Sequence, residues 1–240
     1  MSNPSVLPTA DLLAILTRVA LFQNFSPGEL SQILAAGQPR CLEENCFFFQ
    51  QGDPASRLYV LADGRVRLSQ VTLDGQQIIL RVIVPGQMFG AIGLAQPDAL
   101  YPVSAEASED SQAISWETGI FRRLSETKPG VSLDLMGLMS DYLQEIQDRY
   151  RELATERTEQ RVARALLRLT AQLGRKVEEG VLVDMALSRQ SLAEMTGTTL
   201  YTVSRLLSDW ERRGLIQTGR ERVVIIKPHD LVQIIENPIK

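Results

Sequence analysis

"RQSLAEMTGTTLYTVSRLLSDWERRGLI", residues 189–216, reads as two short helices joined by a tight turn. Ser188 stands before the first and Thr199 before the second, and such hydroxyls accept from the free N–H groups of a first helical turn. Ala193 is small where the helices would cross, Gly197 suits the positive φ of the turn, and Leu192, Val203 and Leu206 supply a shared core. The second helix has two faces. Val203, Leu206 and Leu207 sit at packing spacing, while Leu200, Tyr201, Ser204 and Arg205 fall on the exposed N-terminal side, the part of a recognition helix that meets base edges in a major groove. Arg189 and Thr202 flank that face. Downstream, "LIQTGRERVVIIKP" at 215–228 has the pattern of a two-stranded wing, with Gly219, Arg220 and Arg222 at a tip suited to a phosphate or groove edge. An ordinary helical hairpin is the rival reading of the same spacing.

Charge is distributed to match. The 240-residue chain carries a net charge of -4, yet residues 161–240 hold 13 Lys and Arg against 9 Asp and Glu, whereas 131–160 hold 3 against 7 and 1–130 hold 9 against 13. A phosphate backbone feels the local balance within a Debye length, so the basic C-terminal part is the one placed to meet DNA.

The scarce residues exclude other classes. His229 is the single histidine, and Cys41 and Cys46 are the only cysteines. Neither a two-histidine-carboxylate metal site nor a four-ligand zinc site assembles from these within one chain, and a Ser-His-Asp triad would have to use His229. The reading is therefore not an enzyme; a cupin-like metalloenzyme is the β-roll rival, and it lacks its ligands here. Two cysteines imply no disulfide framework. No apolar run approaches the roughly 18 to 20 residues of a membrane span, and "MSNPSVLPTA" has neither a basic patch nor a hydrophobic core, so a cytoplasmic protein without membrane contact is expected.

Working toward the N-terminus, helical spacing in "TADLLAILTRVALF" and "SPGELSQILAAG" predicts two short helices, with Asp11 and Ser26 as N-caps and Gly37 as a stop. From about 40 to 120 the period becomes two. Turn signals at Gly52, Gly64, Gly75 and Gly86 stand 12, 11 and 11 residues apart, the spacing of short strands joined by hairpins in an antiparallel roll. "RVRLSQV" puts Val66 and Leu68 on one face, and the more continuously apolar "QQIILRVIV" is expected to be a central strand. After Pro129 a long helix is predicted, in which Met136, Met139, Leu143, Ile146, Tyr150 and Leu153 step by 3, 4, 3, 4 and 3, the seam of a coiled-coil dimer. A second stripe, Leu135, Leu138 and Tyr142, would pack on the roll; burial of one broad face within the chain's own domain is the alternative. "ATERTEQ", 154–160, is polar and reads as a hinge. Beyond it Arg161, Arg164 and Arg168 share a helix face, either solvated or phosphate-facing.

The order of β-roll, long helix, hinge and winged helix-turn-helix, together with "GQMFGAIGL" (86–94), "YPVSAEA" (101–107), the 131–157 helix and "GTTLYTVSR" (197–205), resembles the Crp/Fnr family of bacterial transcription regulators over nearly the whole length. The implied fold class is α+β: an N-terminal antiparallel β-roll of the jelly-roll, cyclic-nucleotide-binding-like kind (1–130), a dimerisation helix and hinge (131–157), and a C-terminal winged helix-turn-helix (158–240). The implied function is a homodimeric, sequence-specific regulator of double-stranded DNA with a two-fold symmetric site, with RNA polymerase as a further partner.

The resemblance also assigns roles. Ser204 and Arg205 correspond to the family's serine and guanine-reading arginine, and Tyr201 stands where many members carry a glutamate. Tyrosine donates, accepts or lays its ring on a thymine methyl, so either the half-site differs from that of the glutamate-bearing members or Tyr201 rests on the sugar-phosphate edge. In cyclic-nucleotide-binding relatives a glutamate takes the ribose and an arginine-serine pair the phosphate; here these become Ala91, Tyr101 and Pro102. Cyclic AMP is thus not expected as effector. A pocket lined by Gly90, Ala91, Ile92, Tyr101, Pro102, Val103 and Ser104 and closed by Ile146 and Tyr150 would suit a small hydrophobic ligand, haem or nothing. Iron-sulfur members need four cysteines, which this chain lacks. The effector is unassigned, leaving a haem-based gas or redox sensor, or control by abundance, as alternatives; Cys41 and Cys46 read either as a thiol switch or as unrelated.

Overall fold

The computed structural model describes residues 7–96 and 98–236, and the first six residues of the N-terminal stretch read above lie outside them. The chain divides into two compact units, residues 1–144 and 145–240.

The first unit opens with helices α1 (Thr9–Leu16) and α2 (Pro27–Ala35). Asp11 is not the cap of α1: Pro8 occupies that position and Asp11 lies in the first turn, where its charge still complements the helix dipole. Ser26 does cap α2, accepting from the Glu29 N–H while Glu29 reaches back to the Ser26 N–H at 2.8 Å, a complete capping box. Gly37 follows the end of α2, which Ala36 caps, as expected of a stop, and it also permits a close approach. A Cβ there would stand 2.6 Å from Ile114 Cγ2 and 2.9 Å from Trp116 Nε1, and that indole in turn donates to the Ile33 carbonyl at 2.7 Å.

The roll follows as β1 (Gln38–Leu42), β2 (Phe47–Phe49), β3 (Arg57–Asp63), β4 (Val66–Val71), β5 (Gln77–Ile83), β6 (Met88–Phe89), a short helix α3 (Ile92–Ala95), β7 (Ser104–Ala107) and β8 (Ser111–Glu117). Antiparallel pairing gives two four-stranded sheets, ordered β1-β8-β3-β6 and β2-β7-β4-β5. The turn at Asp63–Gly64 is therefore not a hairpin, because β3 and β4 belong to different sheets; the Asp74–Gly75 turn does join paired neighbours. Closing a two-layer roll requires the chain to switch sheets, which regular turn spacing does not reveal. β5 lies at a sheet edge, not in the centre. Its apolar run is buried on both faces only at its end, where adjacent Val82 and Ile83 are both buried, while Ile78 is exposed.

Two cores result. Leu16, Leu21, Phe22, Leu58, Val60, Trp116, Phe121 and Val131 fill the layer between the N-terminal helices and the first sheet; Phe49, Tyr59, Leu61, Val66, Ile83, Phe89 and Ala105 fill the roll. Val66 is buried and Leu68 packs against the roll core, as their shared face predicts. Helix α4 (Thr118–Thr127) leads into the long α5 (Pro129–Thr155). Leu135 and Leu138 pack on the first core as expected, but Tyr142, a turn further on, is exposed.

The second unit contains the end of α5, then α6 (Thr158–Leu173), β9 (Gly174–Val177), β10 (Gly180–Val183), α7 (Arg189–Thr196), α8 (Leu200–Arg212), β11 (Ile216–Gly219), β12 (Arg222–Ile225) and α9 (Pro228–Glu236). The wing strands β11 and β12 are paired as the sequence predicts, but they belong to a four-stranded sheet ordered β11-β12-β10-β9. Its core joins Val162, Leu166, Leu192, Val203, Leu207, Trp210, Val224 and Leu231; Leu207 is buried more fully than Leu206.

Candidate nucleic-acid interface

Local chemistry builds the two-helix motif. Ser188 caps α7 by accepting from the Ser191 N–H at 2.9 Å, and Thr199 caps α8 by accepting from the Thr202 N–H at 3.2 Å. Between them Gly197 adopts φ +60°, ψ +45°, and the Thr198 N–H reaches the Ala193 carbonyl at 3.1 Å. An L side chain at this φ is strained, and a Cβ would also stand 3.3 Å from Leu153 Cδ2. The wing is tied to the same motif, because the Leu187 N–H donates at 3.0 Å to the carbonyl of Glu221 at the wing tip.

What this scaffold presents is the face expected of it. Val203 and Leu207 point inward, while Leu200, Tyr201 and Arg205 are exposed at the start of α8, with Ser204 and Thr202 partly so. Tyr201 is 76% exposed and Leu200 48%, large apolar surfaces left in solvent on the helix end nearest the turn. Arg189 is exposed at the first residue of α7, and Gly219, Arg220 and Arg222 are exposed at the wing tip.

Two groups of arginines in this unit contrast. Among the described residues Arg189, Arg205, Arg220 and Arg222 are exposed and make no ion pair. Arg161, Arg164 and Arg168, which the spacing left as either solvated or phosphate-facing, do neither job. Arg164 contacts both oxygens of Glu156, Arg168 both oxygens of Glu152, and Arg161 donates to the carbonyls of Glu156 and Thr196. The Glu156 carboxylate holds the Arg164 guanidinium's pKa above its ordinary value, consistent with a permanently charged pair. Glu152, Glu156 and the contact of Leu153 with the turn were not foreseen. The signal was present as a Glu-x-x-x-Glu before the helix break answered by an Arg-x-x-x-Arg after it.

The residues expected to form a dimer seam lie on α5. Met136, Met139, Leu143, Ile146, Tyr150 and Leu153 are all exposed, between 40% and 74%, far more apolar surface on one helix than a solvated helix carries.

The interior of the roll differs from the pocket read in the sequence. Tyr101 is a core residue, 3% exposed, its ring stacked on Phe49 with centroids 3.7 Å apart and planes 14° from parallel. Its hydroxyl is bracketed by the Arg57 backbone, accepting from the N–H at 3.2 Å and donating to the carbonyl. Burial pushes the phenol's pKa well above its usual range. Phe48, Phe49, Tyr59 and Phe89 pack on one another in edge-on, tilted and stacked pairs. Gly90 presses on this group, with its Cβ position 3.1 Å from Phe49 Cε1, while Ile92 and Val103 pack against the same core. Ala91 and Ser104 are partly buried at its margin, Pro102 is exposed, and Ile146 and Tyr150 are exposed residues of the second unit.

A capped helix pair with one exposed basic and aromatic face, continued by a wing with free arginines, is the machinery of a DNA-binding transcription regulator. The comparisons agree: residues 39–128 match the cyclic nucleotide-binding domain and 160–234 the Crp-like helix-turn-helix domain. The chain is 31% identical over 199 residues to the cyclic AMP receptor protein of Thermus thermophilus, spanning 83% of this chain and 88% of that protein, and 31% identical over 189 residues to the global nitrogen regulator of a Nostoc species, spanning 78% and 84%. A solved structure of a CRP/FNR-family transcriptional regulator from Thermus thermophilus superposes with a TM-score of 0.70 at 26% identity, covering 83% of this chain and 99% of the other. The chain belongs to the Crp/Fnr family of transcription regulators. No helix of its described residues is long and apolar enough to cross a membrane.

Proposed function

We propose that the chain acts as a homodimer through the α5 seam and reads two half-sites of a two-fold symmetric duplex with its paired α8 helices. The observation that carries this is a contrast among the arginines: Arg164 and Arg168 of α6 are neutralised by Glu156 and Glu152, and Arg212 and Arg213 at the far end of α8 pair with Asp209, whereas Arg189, Arg205, Arg220 and Arg222 face solvent without an ion pair. Arg205 reads a guanine through O6 and N7; Arg189, Arg220 and Arg222 hold phosphates; Thr199, Leu200, Tyr201, Thr202 and Ser204 fill the groove between. It works in the cytoplasm, with RNA polymerase as its other partner and no catalytic activity of its own.

A second reading, control without a small effector in the roll, is favoured by the Phe49–Tyr101 stack. The Thermus relative is named for cyclic AMP, but here the phosphate's partners are replaced by a buried phenol and a proline without an N–H. We infer that this roll takes no cyclic nucleotide.

Selection of bound sequences from random duplexes with Tyr201→Glu tests the DNA-reading face. If Tyr201 reads a base edge, the glutamate moves the preferred base pair at its position toward one presenting an amino group. If Tyr201 rests on the backbone, affinity falls uniformly and the motif stays. A motif unmoved in both Tyr201→Glu and Arg205→Ala means that this face does not read DNA.

A further inference from the structure

Four charged side chains bridge the break between α5 and α6. Arg164 Nε lies 3.0 and 3.2 Å from the two Glu156 oxygens, and Arg168 donates from one terminal nitrogen to both Glu152 oxygens at 2.6 and 2.8 Å. Arg164 Nε is also 3.7 Å from Glu152, which joins the two pairs into one network. Glu152 is 9% exposed, so its charge is held by these partners rather than by water. From the same segment two contacts reach the turn before α8. Arg161 spans from the Glu156 carbonyl, at 2.9 Å, to the carbonyl of Thr196, the last residue of α7, at 3.0 Å, and Leu153 lies against Gly197.

We propose that this network is a transmission clamp: it fixes the recognition helix to the last turns of α5, and so sets the one separation between half-sites that the dimer accepts. The inference rests on the dimeric DNA reading above. A planar guanidinium gripping both oxygens of a carboxylate constrains direction as well as distance, which a single point contact does not. Leu153 and Arg161 then carry that fixed direction to Thr196 and Gly197, where α7 ends and the turn into α8 begins. Without the clamp each recognition helix keeps its own base contacts, because Thr199, Tyr201 and Arg205 do not depend on it, but the two helices lose a common frame.

The test is fluorescence anisotropy of the full chain on duplexes carrying two selected half-sites at the preferred separation and with one base pair added or removed. Wild type is expected to discriminate sharply. Glu152→Gln/Glu156→Gln lowers the ratio of affinities for correct over altered spacing by about tenfold, as expected when coupled buried partners are broken, while single half-site affinity holds. Arg164→Lys, which keeps the charge and loses the fork of two nitrogens on Glu156, gives an intermediate ratio. The exchange Glu156→Arg/Arg164→Glu restores discrimination toward wild type. An unchanged ratio in the glutamine variant overturns the clamp; should that variant not fold, a wild-type ratio in Arg164→Lys overturns it, as does an exchange that restores nothing. A wild type that binds no duplex overturns instead the DNA reading on which the clamp rests.

Discussion

The rings of Phe49 and Tyr101 stack 3.7 Å apart inside the β-roll, so the chain fills with its own aromatic side chains the space between its two sheets. Replacing Tyr101 with Ala removes the stack and both hydrogen bonds to the Arg57 backbone and leaves a cavity; the expected loss is about 3 to 5 kcal/mol of unfolding free energy. Tyr101→Phe keeps the ring and is expected to lose only about 1 kcal/mol. Chemical denaturation checks both, and equal losses would show that the ring packing contributes nothing.

Titration calorimetry of the wild type with cyclic AMP or cyclic GMP is expected to give no specific heat. The phosphate would have to be held beside Tyr101 and Pro102 without an arginine, and an unpaired buried anion is costly. Micromolar affinity would reject this account of the roll.

Ile146 occupies a d position of the exposed α5 seam. Ile146→Lys places an uncompensated charge in the dimer contact, at a cost of several kcal/mol, about 3 to 5 by analogy with broken buried pairs. Sedimentation is expected to show dissociation at micromolar concentration, with the monomer's circular dichroism retained; an unchanged dimer removes this face as the interface.

Arg205 and the wing arginines share a surface but not a task. Arg205→Ala is expected to lose about 1 to 3 kcal/mol per half-site and to relax preference at one base pair. Arg220→Ala and Arg222→Ala weaken binding to all sequences alike, each flattening the salt dependence by up to about one counterion. Affinities across a salt series on cognate and scrambled duplexes separate the two behaviours.

Glu29 gives the fold one acid-sensitive point. Its hydrogen bond to Lys128 and those in the Ser26 capping box lower its carboxyl pKa from 4.5 to about 2. A depressed folded pKa contributes stability that is present above pH 4.5 and lost as pH falls toward about 2. The contact is at the surface and screened by salt, so the effect is small. Denaturant midpoints between those pH values are expected to fall more for wild type than for Glu29→Gln; parallel curves would mean that the pairing is not maintained in solution.

How far the sequence carried this reading depends on the range of the interactions. The caps Ser26, Ser188 and Thr199, the glycine turn at 197 and the wing strands are local features, written within a few residues, and the structure places them where the pattern does. Sheet assignment is not local. The Asp63–Gly64 turn resembles a hairpin in spacing, yet β3 pairs with β8, 49 to 60 residues further along, and β4 with β7, 35 to 41 further along, and no periodicity reports partners at that distance. β9 and β10 are hard to read for a related reason: "GRKVEEGVLV" is short and charged and gains its strand character from the pairing of β10 with β12 and of β9 with β10. Tyr101 was visible as a departure from a ligand-binding pattern, but whether it lined or filled the roll depended on Phe49 and Arg57, which sequence alone does not bring beside it. The arginines of α6 were placed on one face correctly; their partners lay across a helix break, and charge matching over a break has many solutions.

The measurement that bears most directly on the central claim is selection of sequences bound by the wild-type chain from a pool of random duplexes. The account predicts enrichment of a two-fold symmetric motif whose half-sites are centred about one helical turn, 10 to 10.5 base pairs, or a multiple of it apart. Each half should carry a guanine whose preference Arg205→Ala relaxes. Enrichment of no motif, or of an asymmetric one indifferent to Arg205, would contradict it.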